Sequence, residues 1–505
     1  MLIEAMPAAV DVTVEVPRRS MPRQTVEYGL GYVLFAAGRL LRDLAVARIL
    51  GPATFGIWGA LLIYRQYSNY TDFGFTNGLG RVLPKLLADE KMTEARQAMS
   101  AGWVVAMAGT TAFALAVALR LLAGSHSYSA VALWGIVTVA ALMFIDKHYM
   151  YSLVVFRSAH RVGESGLWMG LLGVLEFGLG VVLTRRFGLY GLYVSAFLAA
   201  ATAVIGMYFR QPLRWIFRPT KVSFRMLLTP SLTLMGMGLG QIAIHNVDRV
   251  VILWCRGPGA DLGQYQVAAS ISLVVSQLPN ILATVMVPEM YRFGRESSAK
   301  LRRYLLLPTV LISMMASAVA VSGAIVLPDL IPRLLPKYQT AASLTSVLMW
   351  GEVCFAIAMV PDAVMVALDR GYQSLLVRCL TIGGGMAASW GVLNHGCGLH
   401  TVAGCMCVAQ ASGGLIIGGM AARAAKVSPI RHIAAAFLPV LYALAVLAGL
   451  SVAFPAPGGV AQIVMKLVLC GLALSPFAVI PLRFFGVRVP GVERVIGYLH
   501  WGEVG

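Results

Sequence analysis

The clearest structural signal in the chain is the apolar run YLLLPTVLISMMASAVAVSGAIVL, residues 304–327, which contains no charged side chain. About 20 apolar residues suffice for a helix to cross the hydrocarbon core of a bilayer. Similar runs recur along the chain: 58% of its 505 residues are hydrophobic, 12% are charged, and the mean hydropathy is +0.77. A soluble domain carries about 25% charged residues. The sequence therefore predicts an all-α integral membrane protein.

Fourteen stretches are apolar enough to be predicted as transmembrane helices. They cover residues 27–50, 53–84, 98–122, 128–156, 165–184, 188–209, 226–255, 260–290, 304–327, 341–368, 372–393, 399–422, 433–453 and 459–483. The connections are too short for a folded soluble domain. We therefore predict a disordered cytoplasmic tail (1–26), an N-lobe of six helices (27–209), a basic cytoplasmic linker (210–225), a C-lobe of six helices (226–422), two extra helices (433–483) and a second cytoplasmic tail (484–505).

The net charge of +18 comes from short basic clusters between the apolar runs. No nucleic-acid-binding motif accompanies them, so we expect membrane lipids rather than nucleic acid as a partner. If the N-terminus is cytoplasmic, 26 lysines and arginines fall on the cytoplasmic side and seven on the other. Arg378 is among the 26. Because cytoplasmic connections are enriched in Lys and Arg, both termini are predicted to be cytoplasmic.

The chain contains an internal repeat with an offset of 206 residues. Arg39, Arg42-Asp43 and Gly51-Pro52 correspond to His245, Asp248-Arg249 and Gly257-Pro258, and Phe55-Gly56 corresponds to Leu262-Gly263. Six predicted helices separate the two copies, so both halves run in the same direction through the membrane. Parallel repeats of this kind are typical of transporters that bind substrate between two lobes.

Several motifs of the chain resemble one family of exporters. They are Arg48-Ile-Leu-Gly-Pro-Ala-Thr-Phe-Gly-Ile-Trp58, Asp72-Phe-Gly-Phe75, Leu83-Pro-Lys85, Asp248-Arg249 followed by Gly263-Gln-Tyr265, and Leu330-Ile-Pro-Arg-Leu-Leu-Pro-Lys-Tyr338. Together with the helix count, they resemble the bacterial polysaccharide and O-antigen (Wzx-type) flippases of the multidrug/oligosaccharidyl-lipid/polysaccharide exporter superfamily. The resemblance implies twelve core helices, two extra helices and a cationic central cavity in a protein of the bacterial inner membrane.

The implied function is to flip an undecaprenyl-diphosphate-linked oligosaccharide from the cytoplasmic to the periplasmic leaflet, for lipopolysaccharide or exopolysaccharide synthesis. The polysaccharide polymerase and export machinery are then expected partners. A lipid II flippase and a cation-coupled drug antiporter of the same superfamily remain alternatives. A membrane glycosyltransferase or polymerase is a further alternative from another class, although the predicted periplasmic loops are short and lack paired acids. We expect no enzymatic activity and no catalytic residue.

Charged side chains inside the predicted spans are the candidate site residues, because a charge at the bilayer centre costs about 2.5–3.5 kcal/mol and normally faces a cavity or a partner. The cations assigned to the diphosphate are Arg39, Arg42, Arg65, Arg249 and Lys147. The acids assigned to coupling of H⁺ or Na⁺, or to salt bridges, are Asp43, Asp72, Asp146, Glu176, Asp248, Glu352 and Asp362. Guanidinium groups bind phosphate oxygens bidentately without a metal.

Helical spacing groups these residues. The predicted groups are Arg39 with Arg42 and Asp43, Arg65 with Asn69 and Asp72, and Gln241 with His245 and Asp248 beside Arg249. The pairs Arg42/Asp43 and Asp248/Arg249 can equally be structural ion pairs. Lys466 lies near a span end, where we expect its long side chain to reach the interface.

No cofactor or metal is expected. Cys397, Cys405 and Cys407 lie close to His395 and His400 in the sequence. Their spacing matches no common zinc pattern, and packing of small residues between helices explains them better.

Overall fold

The computed structural model describes residues 21–123, 130–213, 217–277, 298–454 and 460–477 of the chain. These residues form fifteen α-helices and no strand. The helices are α1 (Met21–Leu50), α2 (Pro52–Ser68), α3 (Phe75–Ala88), α4 (Met92–Ala123), α5 (Ala130–Ser158), α6 (Val162–Arg210), α7 (Lys221–Ile244), α8 (Val247–Arg256), α9 (Ala260–Ser272), α10 (Ser298–Leu334), α11 (Gln339–Ala367), α12 (Gly371–Asn394), α13 (Leu399–Ala424), α14 (Pro429–Ala453) and α15 (Val460–Ala473).

The all-α membrane class is confirmed. Each of the fourteen predicted spans is mainly helical over its described residues. By length and composition, eight helices of the described ranges can cross a membrane, or nine if the bent α7 counts as one span. α1 begins at Met21, so the last six residues of the predicted first tail are helical. The rest of that tail, the second tail and residues 278–290 of the eighth span lie outside the described residues.

Two predicted spans are broken into separate helices. In span 53–84, helix α2 ends at Ser68 and α3 begins at Phe75, and the Asp72 carboxylate accepts hydrogen bonds from the backbone N–H groups of Gly74 and Thr76, both at 3.1 Å. Asp72 therefore caps α3, and the predicted helical stripe of Arg65, Asn69 and Asp72 is wrong.

Span 226–255 is interrupted between Ile244 and Val247. The Asn246 amide donates to the carbonyl of Ile242 at 2.9 Å, which competes with helical hydrogen bonding at this point. The predicted stripe of Gln241, His245 and Asp248 is therefore not one continuous helical face. By contrast, spans 165–184 and 188–209 follow one another within α6, with a break at Gly188, whose φ is 59°.

The chain divides into two compact units. The first unit contains residues up to Arg42 and Tyr67–Met235, and the second contains Asp43–Gln66 and the residues from Gly236 onward. Residues 43–66 thus group with the second unit, although they lie in the predicted N-lobe. One cause is a reciprocal backbone contact: a Cβ on Gly56 would lie 2.0 Å from the carbonyl oxygen of Gly259, and a Cβ on Gly263 would lie 2.0 Å from that of Pro52.

Candidate functional site

In the first unit, glycines set the register between α1 and α6. A Cβ on Gly31 would lie 1.9 Å from the carbonyl oxygen of Gly166, and a Cβ on Gly38 would lie 2.4 Å from that of Gly173. The two backbones therefore touch at contacts seven residues apart on each helix, which is the close approach that small residues permit in membranes. The same register continues to Arg42 on α1 and Glu176 on α6.

A buried cluster of two arginines and one glutamate follows these glycines. Arg42 donates from Nη1 to Glu176 Oε2 at 2.6 Å, and both side chains are 1% exposed. Arg39 Nε lies 3.4 Å from the same oxygen, and its side chain is 36% exposed. Gly180 leaves room for the Arg42 stem, because a Cβ there would lie 3.0 Å from Arg42 Cγ. Two cations thus approach one carboxylate, and the carboxylate comes from α6.

This cluster changes the predicted pairing. The sequence offers Asp43 as the acid next to Arg39 and Arg42, whereas the structure brings Glu176 to both arginines. Asp43 accepts a hydrogen bond from the hydroxyl of Ser270 on α9, at 3.4 Å, within the second unit. Helical spacing identifies neighbours on one helix. It cannot identify a contact between residues that lie 134 positions apart in the sequence.

Lys147 and Asp72 form a second buried pair in the first unit. Lys147 Nζ lies 3.1 Å from Asp72 Oδ1 and donates to the carbonyl of Asn69 at 2.5 Å, and its side chain is 2% exposed. The lysine therefore holds the turn between α2 and α3 through groups of the protein itself. Asp146 precedes it in α5 and is half-buried.

In the second unit, a polar cleft contains a histidine and a glutamate. His245 Nδ1 lies 2.9 Å from Glu352 Oε1 on α11. Asp248 accepts a hydrogen bond from the hydroxyl of Tyr265 at 2.7 Å and another from the backbone N–H of Arg249 at 2.7 Å. His245, Asp248, Arg249 and Glu352 line the same cleft, which encloses about 360 Å³, part of it open space.

Arg249 is 2% exposed and bound within the second unit. Its Nη1 donates to Gln266 Oε1 at 2.9 Å, and its Nη2 donates to the carbonyl of His245. Its Nε and the Oε2 of Glu352 are buried without a hydrogen-bond partner in the described residues. Arg65, on α2, is also buried in this unit.

Two further pairs correct the assignments made from the sequence. Asp362 accepts hydrogen bonds from Arg378 and Ser374, so Arg378 lies inside α12 beside a buried acid and not in a cytoplasmic connection. Lys466 is 8% exposed and lies 3.2 Å from Asp329, so its expected extension to the interface is wrong. Asp329 is a buried acid that the span analysis does not single out.

The sequence could have revealed one missed residue. His245 is the repeat equivalent of Arg39 and lies on a polar stripe, yet it is absent from the predicted site residues. Gln266 and Tyr265 carry no charge signal, and only their contacts reveal them. No group of three or more His, Cys, Asp or Glu side chains in the described ranges is placed to hold a metal ion.

The fold is similar to those of known membrane transporters. The "Lipid II flippase MurJ, inward closed conformation" superposes with a TM-score of 0.67 at 12% identity, over 92% of this chain and 99% of that chain. An inward-facing multidrug resistance MATE family transporter of the MOP superfamily superposes with a TM-score of 0.59 at 14% identity, over 80% of this chain and 94% of that chain. An outward-facing multidrug resistance MATE family transporter superposes with a TM-score of 0.55 at 12% identity, over 80% of this chain and 96% of that chain. At these identities, the likeness shows a shared fold.

The family is shown by the sequence itself. No curated protein gives a significant match to the chain. The model of the family described as "Polysaccharide biosynthesis protein" matches residues 24–293, which is more than half of the 505 residues. The chain, an all-α multi-pass membrane protein, therefore belongs to the polysaccharide biosynthesis protein family.

Proposed function

We propose that the protein flips an undecaprenyl-diphosphate-linked oligosaccharide from the cytoplasmic to the periplasmic leaflet of the bacterial inner membrane. Membership of the polysaccharide biosynthesis family and the transporter fold support this function. The observation that carries it is the cluster of Arg39, Arg42 and Glu176, because it places two guanidinium groups, one of them 36% exposed, inside a predicted span.

Arg39 is the residue proposed to contact the diphosphate. Its side chain is 36% exposed, whereas Arg42 is 1% exposed and bound to Glu176. Arg42 then contributes positive field rather than direct contact, whereas Arg65 belongs to the second unit. Lys147 holds the α2–α3 turn, and Arg249 belongs to the cleft of the second unit, so neither is needed as a phosphate ligand.

The membrane potential favours this direction of transport. Moving two negative charges outward across 100 mV releases about 4–5 kcal/mol when the inside is negative. Part of this is offset if cations of the protein move with the substrate, so an additional coupling ion is compatible with the proposal.

The direction requires cytoplasmic termini, which reporter fusions test. Fusions after Arg225 and Arg303 should report cytoplasm, and fusions after Arg186 and Lys337 should report periplasm. A reversed result at two of these sites would overturn the orientation.

The function is tested with the purified full-length chain in proteoliposomes that contain a fluorescent undecaprenyl-diphosphate-linked oligosaccharide. A membrane-impermeant reagent that reacts with the sugar distinguishes the leaflets. Protein-dependent exchange of label between leaflets, with chemically unchanged lipid, is expected. A new glycosidic bond or released diphosphate would instead place the chain among glycosyltransferases or polymerases.

Lipid II is the second candidate substrate, because the fold superposes on a lipid II flippase over 99% of that chain. The same assay separates the candidates when it is repeated with lipid II and with a cationic drug. Faster exchange of lipid II than of the oligosaccharide lipid would favour the second candidate, and uptake of the drug alone would favour an antiporter.

A further inference from the structure

The motif of residues 330–338 lies outside the cluster of Arg39, and it joins the end of α10 to the end of α1. The Tyr338 hydroxyl donates to the carbonyl of Ala47 at 3.1 Å, and the Tyr338 side chain is buried. A Cβ on Gly51, the residue between α1 and α2, would lie 3.7 Å from the Cδ atom of the lysine before Tyr338. The turn after α10 therefore packs on the end of α1 within one compact unit.

A glutamine of α9 holds this turn in place. Gln264 Nε2 donates to the carbonyl of Lys337 at 2.8 Å, and Gln264 Oε1 accepts a hydrogen bond from the backbone N–H of Ala341 at 3.1 Å. Gln264 belongs to the motif of residues 263–265. Motifs that carry the family resemblance thus build one platform from the end of α1, the start of α9, the end of α10 and the start of α11.

Three exposed cations lie on this platform. Arg48 is in the last turn of α1, Arg333 is in the last turn of α10, and Lys337 is in the turn that follows. They are among the seven cations that the span analysis places on the periplasmic side, and a fourth, Arg256, lies at the same end of the second unit. Positive charge is therefore concentrated here, on the side of the membrane where basic residues are otherwise few.

The platform carries an excess of positive charge. The segments that form it contain four cations and two acids, and they are residues 44–60, 253–266 and 325–345. One acid, Asp261, lies 2.6 Å from Arg256. The other, Asp329, is buried and lies 3.2 Å from Lys466 on α15. The exposed surface of the platform is therefore suited to an anion.

The surroundings of the cations indicate that the anion belongs to a lipid. One residue separates α1 from α2 and four separate α10 from α11, so the cations stay at the ends of the predicted spans, where headgroups lie. Exposed apolar side chains adjoin them in the sequence: Ile49 is 37% exposed and Leu334 is 43% exposed. A membrane interface offers apolar contact and phosphate in one place, whereas an acidic soluble protein offers mainly charge.

We propose that the platform of Arg48, Arg333 and Lys337 binds the diphosphate of the lipid-linked sugar in the outer leaflet, after transport. The guanidinium groups bind phosphate oxygens bidentately, and the lysine adds a point charge. A diphosphate places two negative charges in one headgroup, so it is attracted more strongly to clustered cations than a phospholipid with a single charge. This proposal rests on the proposed flippase function and on cytoplasmic termini.

The first experiment measures occupancy through Lys337, which is the only lysine among the seven cations predicted to be periplasmic. The full chain in proteoliposomes is treated with a membrane-impermeant amine-reactive reagent, and peptide mass spectrometry follows modification of Lys337, so only molecules with this face outward are measured. Undecaprenyl diphosphate added to the outer leaflet should slow the modification. Phosphatidylglycerol at equal negative charge repels the reagent equally and should protect much less. Equal protection by both lipids, or by neither, would overturn the proposal.

The second experiment repeats this measurement with variants. Arg48→Gln should raise the amount of undecaprenyl diphosphate needed for half protection by about fivefold, because one basic residue near the surface contributes roughly that factor to binding of an anionic lipid. Arg186→Gln is the matched control, since Arg186 is exposed and predicted on the same side but belongs to the first unit. It should leave half protection unchanged. An equal shift in both variants would show that general surface charge causes the protection, and the platform would not be a site.

The third experiment separates this site from transport. When the lipid-linked oligosaccharide starts in the inner leaflet, protection of Lys337 should develop as the lipid is flipped, and Arg39→Gln should delay it. Lipid added to the outer leaflet should protect equally in Arg39→Gln and wild-type protein. Flipping without protection, or a reporter fusion after Lys337 that reports cytoplasm, would overturn the outer site. Protection by added lipid in a protein that flips no lipid-linked sugar would instead overturn the proposed function.

Discussion

The two halves of the repeat place basic side chains at equivalent positions, and the two clusters differ in which base faces the buried acid. In the first unit, Arg39 lies with Arg42 against Glu176. In the second unit, the equivalent of Arg39 is His245, which lies against Glu352. The backbone is alike in the two copies of the repeat. Gly51 follows the end of α1 and Gly257 follows the end of α8, and both have a φ of 75°. The repeat therefore kept the hairpin and changed the chemistry of its charged positions.

This difference suggests two separate tasks. A cluster with permanently charged guanidinium groups suits an anion such as a diphosphate at every physiological pH. The imidazole of His245 offers no such bidentate fork to an anion. The comparison predicts that variants of Arg39 reduce substrate affinity more than variants of His245 do.

The largest effect is expected for Arg42→Gln. This change leaves the buried carboxylate of Glu176 without its 2.6 Å partner, and breaking a buried pair costs about 3–5 kcal/mol. Thermal unfolding in detergent and abundance in the membrane measure the loss. His245→Gln should cost less, about 1–3 kcal/mol, because it removes one hydrogen bond to Glu352.

The control for this prediction is the double variant Arg42→Gln/Glu176→Gln. It removes both charges and should recover most of the stability. If Arg42→Gln and His245→Gln are equally stable, the expected difference in strength between the two buried pairs is wrong.

The next effect concerns Arg39, whose variants should alter transport more than stability. Removing a charge-assisted hydrogen bond to the diphosphate costs about 1.5–3 kcal/mol, or roughly ten- to a hundredfold in affinity. Arg39→Lys should retain some transport, because the charge stays while the bidentate fork is lost. Arg39→Gln should retain less and Arg39→Glu least. Complementation of polymer export, corrected for membrane abundance, measures the order, and full export by Arg39→Glu at normal abundance contradicts it.

The sequence predicts the helices well because one physical quantity, apolarity over about 20 residues, determines them. It also predicts that Arg42 and Glu176 are buried charges. It does not show that they meet, because their contact depends on the register between α1 and α6. That register is set by Gly31 and Gly38 against glycines of α6. The seven-residue spacing of these glycines was a readable signal for close packing, although it names no partner helix.

Helix breaks and charges inside helices were harder to predict. The turn that ends α2 depends on the Asp72 carboxylate capping α3, a short-range effect that a 20-residue hydropathy window averages out. The sequence predicts Arg378 in a connection because basic residues near span ends usually lie there. Its burial follows from Asp362 on α11, whose position relative to α12 is a tertiary property.

A third prediction tests whether the two hairpins are equivalent in their packing. In Gly56→Ala the new Cβ would meet the carbonyl oxygen of Gly259, and in Gly263→Ala it would meet that of Pro52. A backbone carbonyl cannot move aside as a flexible side chain can. Each variant should therefore lose about 1–3 kcal/mol of stability, and the two losses should be similar.

Gly404→Ala is the matched control for these glycines, because nothing lies within 4 Å of a Cβ at that position in α13. It should be neutral or more stable by up to about 1 kcal/mol, as expected for alanine in a helix. Thermal unfolding shows whether each variant is less or more stable than the wild-type protein. A loss confined to Gly56→Ala or to Gly263→Ala would show that the contact is not reciprocal.

The smallest effect is expected for Ser270→Ala, which removes the hydrogen bond that joins Gln266 to Asp43. Its cost in stability should be about 0.5–1.5 kcal/mol. Ser276→Ala is the control, because the Ser276 hydroxyl donates at 3.0 Å to the carbonyl of Leu273, three residues earlier. A similar stability loss is expected there. Thermal unfolding measures both variants, and a loss well above this range in Ser270→Ala alone would show that the bond between Ser270 and Asp43 is stronger than an ordinary hydrogen bond.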